Sequence, residues 1–214
     1  MTRALIRWTI REAPHNVRFS AETKPFAREL ESVFGYEFSV FPIFSTTVPQ
    51  SYRPWNSRTV DVLFLPQRKT EMDFVARASS LLERNGVSVA TALKLETWTR
   101  WTNRESLDTP ESPTFLPLGA KEYEELLSSS RVVVLPYDKP YFRWGSSGKF
   151  NEAIAHGCFP LVPQGTAIAS QSSGESALHE FIYPDEESLV EVVTRVLSNP
   201  TIADLVPILL TDFL

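Results

Sequence analysis

The feature that most constrains this chain is an alternation, from residue 58 to about 200, of short apolar runs with amphipathic segments of helical period. Val60 to Leu65 (VDVLFL) is almost continuously apolar, the pattern of a parallel strand buried on both faces. Thr70, with Asp73 three residues on, resembles a capping box. It opens a helix through Arg84 that places Phe74, Ala78 and Leu81 on one side and stops at Gly86. Val87 to Leu93 reads as the next strand, Ala120 to Ser128 as a helix and Arg131 to Tyr137 (RVVVLPY) as a strand. Ser147 to His156 is a helix ended by Gly157, and Phe159 to Pro163 is a short strand. Glu186 to Leu197 closes the series, with Leu189, Val192, Val193 and Val196 at helical spacing. Strands alternating with helices imply an α/β fold: a Rossmann-like, mostly parallel sheet with helices on both faces.

The flanks differ. Residues 23–35 read as a short helix capped by Thr23, with Pro25 in its first turn and Gly35 as its stop. Tyr36 to Phe44 alternates aromatic and polar positions as a strand does. Ser45 to Ser57 is rich in Thr, Pro, Ser and Asn and has a linker's composition. Residues 94–113 are polar, contain Trp98 and Trp101, and read as a surface excursion. Near the start, Arg7 interrupts the patch Ala4–Leu5–Ile6, so a signal peptide is not expected. Every apolar run falls well short of the ~20 residues of a membrane span, which makes the cytoplasm the expected location.

Composition removes several functions. Among 214 residues, 21 Lys and Arg face 26 Asp and Glu, a net charge of −5 that argues against binding nucleic acid or an anionic membrane. The single cysteine, Cys158, excludes an internal disulfide framework and a cysteine-rich zinc site. Only 8 glycines are present, and no G-x-G-x-x-G occurs. Gly148-Lys149 lacks the upstream glycine (Arg143 stands there) and the following hydroxyl residue (Phe150) of a P-loop. There is no G-x-S-x-G, and His15, His156 and His179 give a hydrolase triad no support. His156 reads as the partner of a helix end. Ligands at metal spacing are absent too, so neither a metal nor a cofactor is expected.

In an open parallel sheet, ligands bind beyond the carboxyl ends of the strands, where helix N-termini point into a crevice. Gln67, Arg68 and Lys69 directly follow the first buried strand and precede a helix. They form either an anion site beside helix amides or ordinary solvated charge. Ser146, Ser147 and Gly148 lie between a strand and a helix and offer hydroxyls and amides to a phosphate. Glu152 follows one helical turn deeper. It is either a carboxylate for a ribose diol or a surface glutamate interacting with the helix dipole.

The residues from Tyr137 to Pro163 resemble the donor-binding signature of GT-B glycosyltransferases, the retaining family-four type in particular. The pattern is a strand ending in Pro136-Tyr137-Asp138, then Tyr141 and Arg143, then Ser147-Gly148. Glu152-Ala-x-Ala-x-Gly157, Pro160 and a strand ending before Gly165-Thr166 complete it. Upstream, the β–α–β from residue 60, with a basic pair after its first strand, resembles the opening of the same domain. The likeness covers roughly residues 58–200 and implies a nucleotide-sugar donor, a UDP or GDP sugar, with metal-independent transfer of a hexosyl group. It implies that Arg68 or Lys69 neutralises the diphosphate together with the amides around Ser146, Ser147 and Gly148. Glu152 binds the ribose, Phe115, Leu116 and Pro117 line the base, and Tyr137, Tyr141 and Arg143 face the sugar. One position departs: many members carry a glutamate eight residues before the ribose glutamate, and here that place is Trp144.

GT-B enzymes resemble two facing Rossmann-like domains, and by that likeness residues 58–200 are the donor domain. Residues 1–44 then correspond to a remnant of the acceptor-side domain, 45–57 to the interdomain linker and 201–214 to a tail or crossing helix. The acceptor side would come from a separate domain or subunit, and the chain by itself would be incomplete as an enzyme. The alternative is a non-catalytic nucleotide- or protein-binding module on a degenerate transferase fold.

Overall fold

The structure is a computed structural model that describes residues 18–40, 53–94, 115–143, 147–172, 181–199 and 201. The expectations for Trp98, Trp101, Trp144, Ser146, most of the linker and residues 202–214 lie outside them.

A small unit comes first: β1 (Ser20–Ala21), α1 (Lys24–Phe34) and β2 (Ser39–Val40), the two strands pairing in parallel. Thr23 caps α1 through its side chain, which accepts from Phe26 N at 3.2 Å, and Gly35 ends it at φ 68°, a left-handed conformation that suits glycine. Ala21, Ala27 and Phe38 form a separate apolar cluster with Phe19, Phe26, Leu30 and Phe34 around it. The strand expected over Tyr36–Phe44 is, within the described residues, only Ser39–Val40.

The main body is a six-stranded sheet of order β5-β4-β3-β6-β7-β8 with every neighbouring pair parallel. Its strands are β3 (Val60–Phe64), β4 (Val89–Lys94), β5 (Phe115–Leu118), β6 (Ser130–Val134), β7 (Phe159–Pro163) and β8 (Ile182–Tyr183). The apolar runs fall at the centre, where Val62, Leu63 and Phe64 pair with Val132, Val133 and Val134, all fully buried. Between the strands come α2 (Met72–Arg84), α3 (Ala120–Ser128), α4 (Lys139–Phe142), α5 (Gly148–Ala155) and α6 (Ala167–Ser172), and α7 (Glu186–Ser198) follows the last. Helix α2 packs beside α7, where Arg77 and Glu186 form an ion pair at 2.7 Å, and α6 lies against α1.

Three expectations are corrected. A 3-10 turn over Lys69–Glu71 precedes α2, and Glu71, not the Thr70–Asp73 pair, accepts from the backbone at the helix entrance. The inward face of α2 is Val75, Ala78 and Leu82, because Phe74 leaves the sheet-facing stripe to stack on Tyr183 with ring centroids 5.8 Å apart. The strand read to Tyr137 ends at Val134. Pro136 has no N–H for a ladder, and Tyr137 N turns back to Leu135 O at 2.8 Å. The short elements α4, α6 and β8 gave no readable period.

Candidate functional site

The strand order makes the crevice. The chain leaves β3 toward β4 on one side and leaves β6 toward β7 on the other, so their carboxyl ends diverge above neighbouring strands. Both connections begin at a proline, Pro66 and Pro136, and their backbone amides need acceptors other than a sheet neighbour. Glu71 supplies them. Its carboxylate, 3% exposed, accepts from Gln67 N at 2.6 Å, Arg68 N at 3.2 Å and Asp138 N at 3.2 Å. Burial pushes its pKa above the ordinary carboxylate value while the amides pull the other way. One side chain thus ties the β3 and β6 loops together at the floor of the crevice.

Helix α5 points its N-terminus at the same place. Ser147 is its N-cap, accepting from Phe150 N at 3.2 Å, and the Ser147 hydroxyl is also hydrogen-bonded to Tyr137 Oη. The hydroxyl expected to meet a phosphate is therefore spent on the cap and on Tyr137, and 5% of Ser147 is exposed. What the turn can offer an anion is its first backbone amides, the donors a helix leaves without internal partners. Gly148 is exposed, and nothing lies within 4 Å of where a Cβ would stand. Tyr137 is buried and stacks on Phe142 at 3.9 Å between centroids, so it shapes the crevice wall.

Glu152 lies one turn further along α5 and accepts from Tyr123 Oη of α3 at 3.1 Å. Tyr123 is 4% exposed, and its burial, with the Glu152 charge second, drives its ionisation upward. The phenol stays protonated and donates. The sequence places Tyr123 within a helix, and nothing in its spacing shows what its hydroxyl meets. Helix α3 follows β5, whose backbone, including Phe115 to Pro117, forms the sheet edge on that side. The contact therefore joins the expected ribose and base elements.

The cations separate. The Arg68 guanidinium stands over the ring of Tyr141, which is 63% exposed, and Arg143, at the end of α4, is exposed too. Lys69 is exposed on the 3-10 turn. Lys149, which was not a candidate, reaches from the first turn of α5 to the end of β3, donating to Pro66 O at 2.9 Å and Leu65 O at 3.4 Å. Next to these groups a cavity of about 560 Å³ opens over the ends of β6, β7 and β8, with Phe74, Tyr137, Asp138, Tyr183 and Asp185 among its walls.

His156 and Cys158 stay out of the crevice. His156 is 2% exposed at the end of α5 with Nδ1 2.9 Å from Ser128 Oγ, and burial lowers its pKa. Burial pushes the Cys158 thiol up to about 11, and it donates to Leu127 O at 3.1 Å. Neither is a poised base or nucleophile. Among the described residues, no group of three His, Cys, Asp or Glu side chains is placed to hold a metal ion, and no helix is long and apolar enough to cross a membrane.

No family model matches the chain, and no curated protein does. Solved structures do. One is phage T4 β-glucosyltransferase, at 13% identity and TM-score 0.52, over 81% of this chain and 53% of that one. Another is phage T4 BGT in complex with UDP and Mn2+, at 12% identity and TM-score 0.51, over 87% of this chain and 54% of that one. This chain thus spans about half the length of the structures it matches. The likeness shows the fold alone, a Rossmann-like α/β fold of the kind found in GT-B glycosyltransferases.

Proposed function

We propose that the chain is the nucleotide-sugar donor-binding half of a glycosyltransferase, serving hexosyl transfer from a UDP or GDP sugar to an acceptor held by another domain or subunit. The observation that carries this reading is that the N-terminus of α5 stands at the β3–β6 divide, joined through Lys149 to the end of β3, with Arg68 on the loop that follows β3. Helix amides and cations along the same rim suit a diphosphate. Glu152, held by Tyr123, would take the ribose hydroxyls, and the β5 edge would line the base.

As a glycosidic bond to a diphosphate opens, negative charge grows on the leaving phosphate. Amides and cations already in place stabilise that charge without reorganising. The order of the Pro136 to Pro163 pattern is the ground for a retaining course and for the family-four likeness. The neighbouring cavity has aromatic walls and the carboxylates of Asp138 and Asp185, groups that hold a polyhydroxylated sugar.

Titration calorimetry with UDP and GDP tests the reading. One of the two is expected to bind more tightly than its nucleoside. A folded chain that binds neither would refute it and leave the non-catalytic protein-binding alternative.

A further inference from the structure

We propose that Tyr123 is a positioning residue that restricts the donor to ribonucleotides, by holding Glu152 in an orientation that a ribose diol satisfies and a deoxyribose does not. This rests on the donor-binding reading above and narrows its substrate class. A glutamate on a helix has a flexible side chain, and ordering it against a ligand costs rotamer entropy. Tyr123 lowers that cost. It lies in the first turn of α3, and Leu127, one turn on along the same face, is fully buried. The Tyr123 ring belongs to the main apolar core and is 4% exposed, so packing fixes it. From there its Oη donates to Glu152 Oε2 at 3.1 Å, between two helices that both start at the carboxyl rim of the sheet. Burial keeps the phenol protonated, which sets the direction of the bond.

A carboxylate has room for about four hydrogen bonds, so a phenol and a diol can share one. Glu152 is half-buried, and an acceptor pressed against a ligand and left unmet there is costly. Deoxyribose lacks one of the two hydroxyls and leaves such an acceptor. A loose carboxylate escapes the cost by turning to water, whereas one held by Tyr123 does not. Selection between the two sugars therefore depends on the phenol. The competing explanation is that a buried phenol takes the nearest acceptor for its own sake. That role stabilises the fold and sets no preference between sugars.

The test titrates the wild-type chain, Tyr123→Phe and Glu152→Gln with UDP, GDP, dUDP and dGDP, and records the melting temperature of each protein. The wild-type chain is expected to bind the ribonucleotide on the order of tenfold more tightly than its deoxy counterpart, as for one hydrogen bond to a charged group. Tyr123→Phe should weaken the ribonucleotide by about two- to tenfold and leave the deoxynucleotide within about twofold, so that the preference shrinks. Glu152→Gln should lose most of the preference, and that arm leaves the Tyr123 ring untouched. The proposal is overturned if Tyr123→Phe keeps the wild-type preference, whatever its melting temperature, since that marks a structural phenol. It fails equally if the wild-type chain binds both sugars alike, or if the preference survives Glu152→Gln, and in either case the diphosphate reading stands. If the wild-type chain binds none of the four, both fall together.

Discussion

The two rims of the sheet carry buried polar groups of similar kinds and use them in opposite ways. At the amino end, Arg58 is 2% exposed and donates to Ser130 O at 2.6 Å, His156 O at 2.7 Å and Arg53 O at 3.0 Å. Nearby, Asp61 pairs with Arg131 at 2.5 Å and accepts from Ser88 N, and Ser128 meets His156. These groups close on one another and hold the entering chain at Arg53 to Arg58 against the start of β6 and the end of α5. At the carboxyl end, Glu71, Tyr137 and Ser147 also tie loops together, but there the N-terminus of α5 and the loop that carries Arg68 border a crevice. In a parallel sheet, helices start at one rim and end at the other. Donors without partners accumulate only at the first. The closed rim stabilises, and the open rim is free to bind.

If that division holds, damage to the rims should separate stability from binding. The largest effect is expected from Arg58→Ala, which strips several buried carbonyls of their donor. Unfolding free energy by urea titration should fall by about 3 kcal/mol or more, with diphosphate affinity kept wherever the protein is folded. A loss under about 1 kcal/mol would show that the amino rim is not the stabilising one.

At the open rim the pattern should invert. Glu152→Ala is expected to weaken diphosphate binding by about 1–3 kcal/mol through lost ribose hydrogen bonds, with little change in melting temperature. Tyr123→Phe, which removes only the bond that orients Glu152, should cost about 0.5–1.5 kcal/mol of the same affinity. If affinity survives Glu152→Ala while stability drops, Glu152 belongs with the closed rim.

The smallest effect concerns pH. Burial lowers the pKa of His156 below the ordinary histidine value, so its stabilising contribution is present above the unfolded pKa and is lost as pH falls through the folded value. The stability of the wild-type chain should decline over that acid range. His156→Gln should decline less there, as read by melting temperature against pH. Parallel curves for the two proteins would remove His156 as the cause.

The two rims also differed in how far they could be read from sequence. The central strands were legible because Val62 to Leu65 and Val132 to Val134 are buried on both faces and cannot alternate. Thr23, Gly35, Ser147 and Gly157 marked helix ends because caps are local chemistry. Gln67 to Lys69 and Gly148 were legible as residues between strand and helix, and Glu152 as one turn deeper in the helix. What each side chain touches was not. Glu71 accepts from an amide 67 residues away at Asp138, and Tyr123 meets Glu152 across 29. Lys149 lies 83 residues from the carbonyl it reaches at Pro66. Contacts at such separations follow from strand order, and no spacing in the chain encodes them.

Amide shift mapping on isotope-labelled chain, titrated with UDP and GDP, tests the central claim most directly. The account predicts saturable shifts at Arg68, Gly148, Lys149 and Glu152, with the amides of Arg58, Ser128 and Ser130 still. Shifts confined to the amino rim, or no saturable shift with either nucleotide, would contradict it.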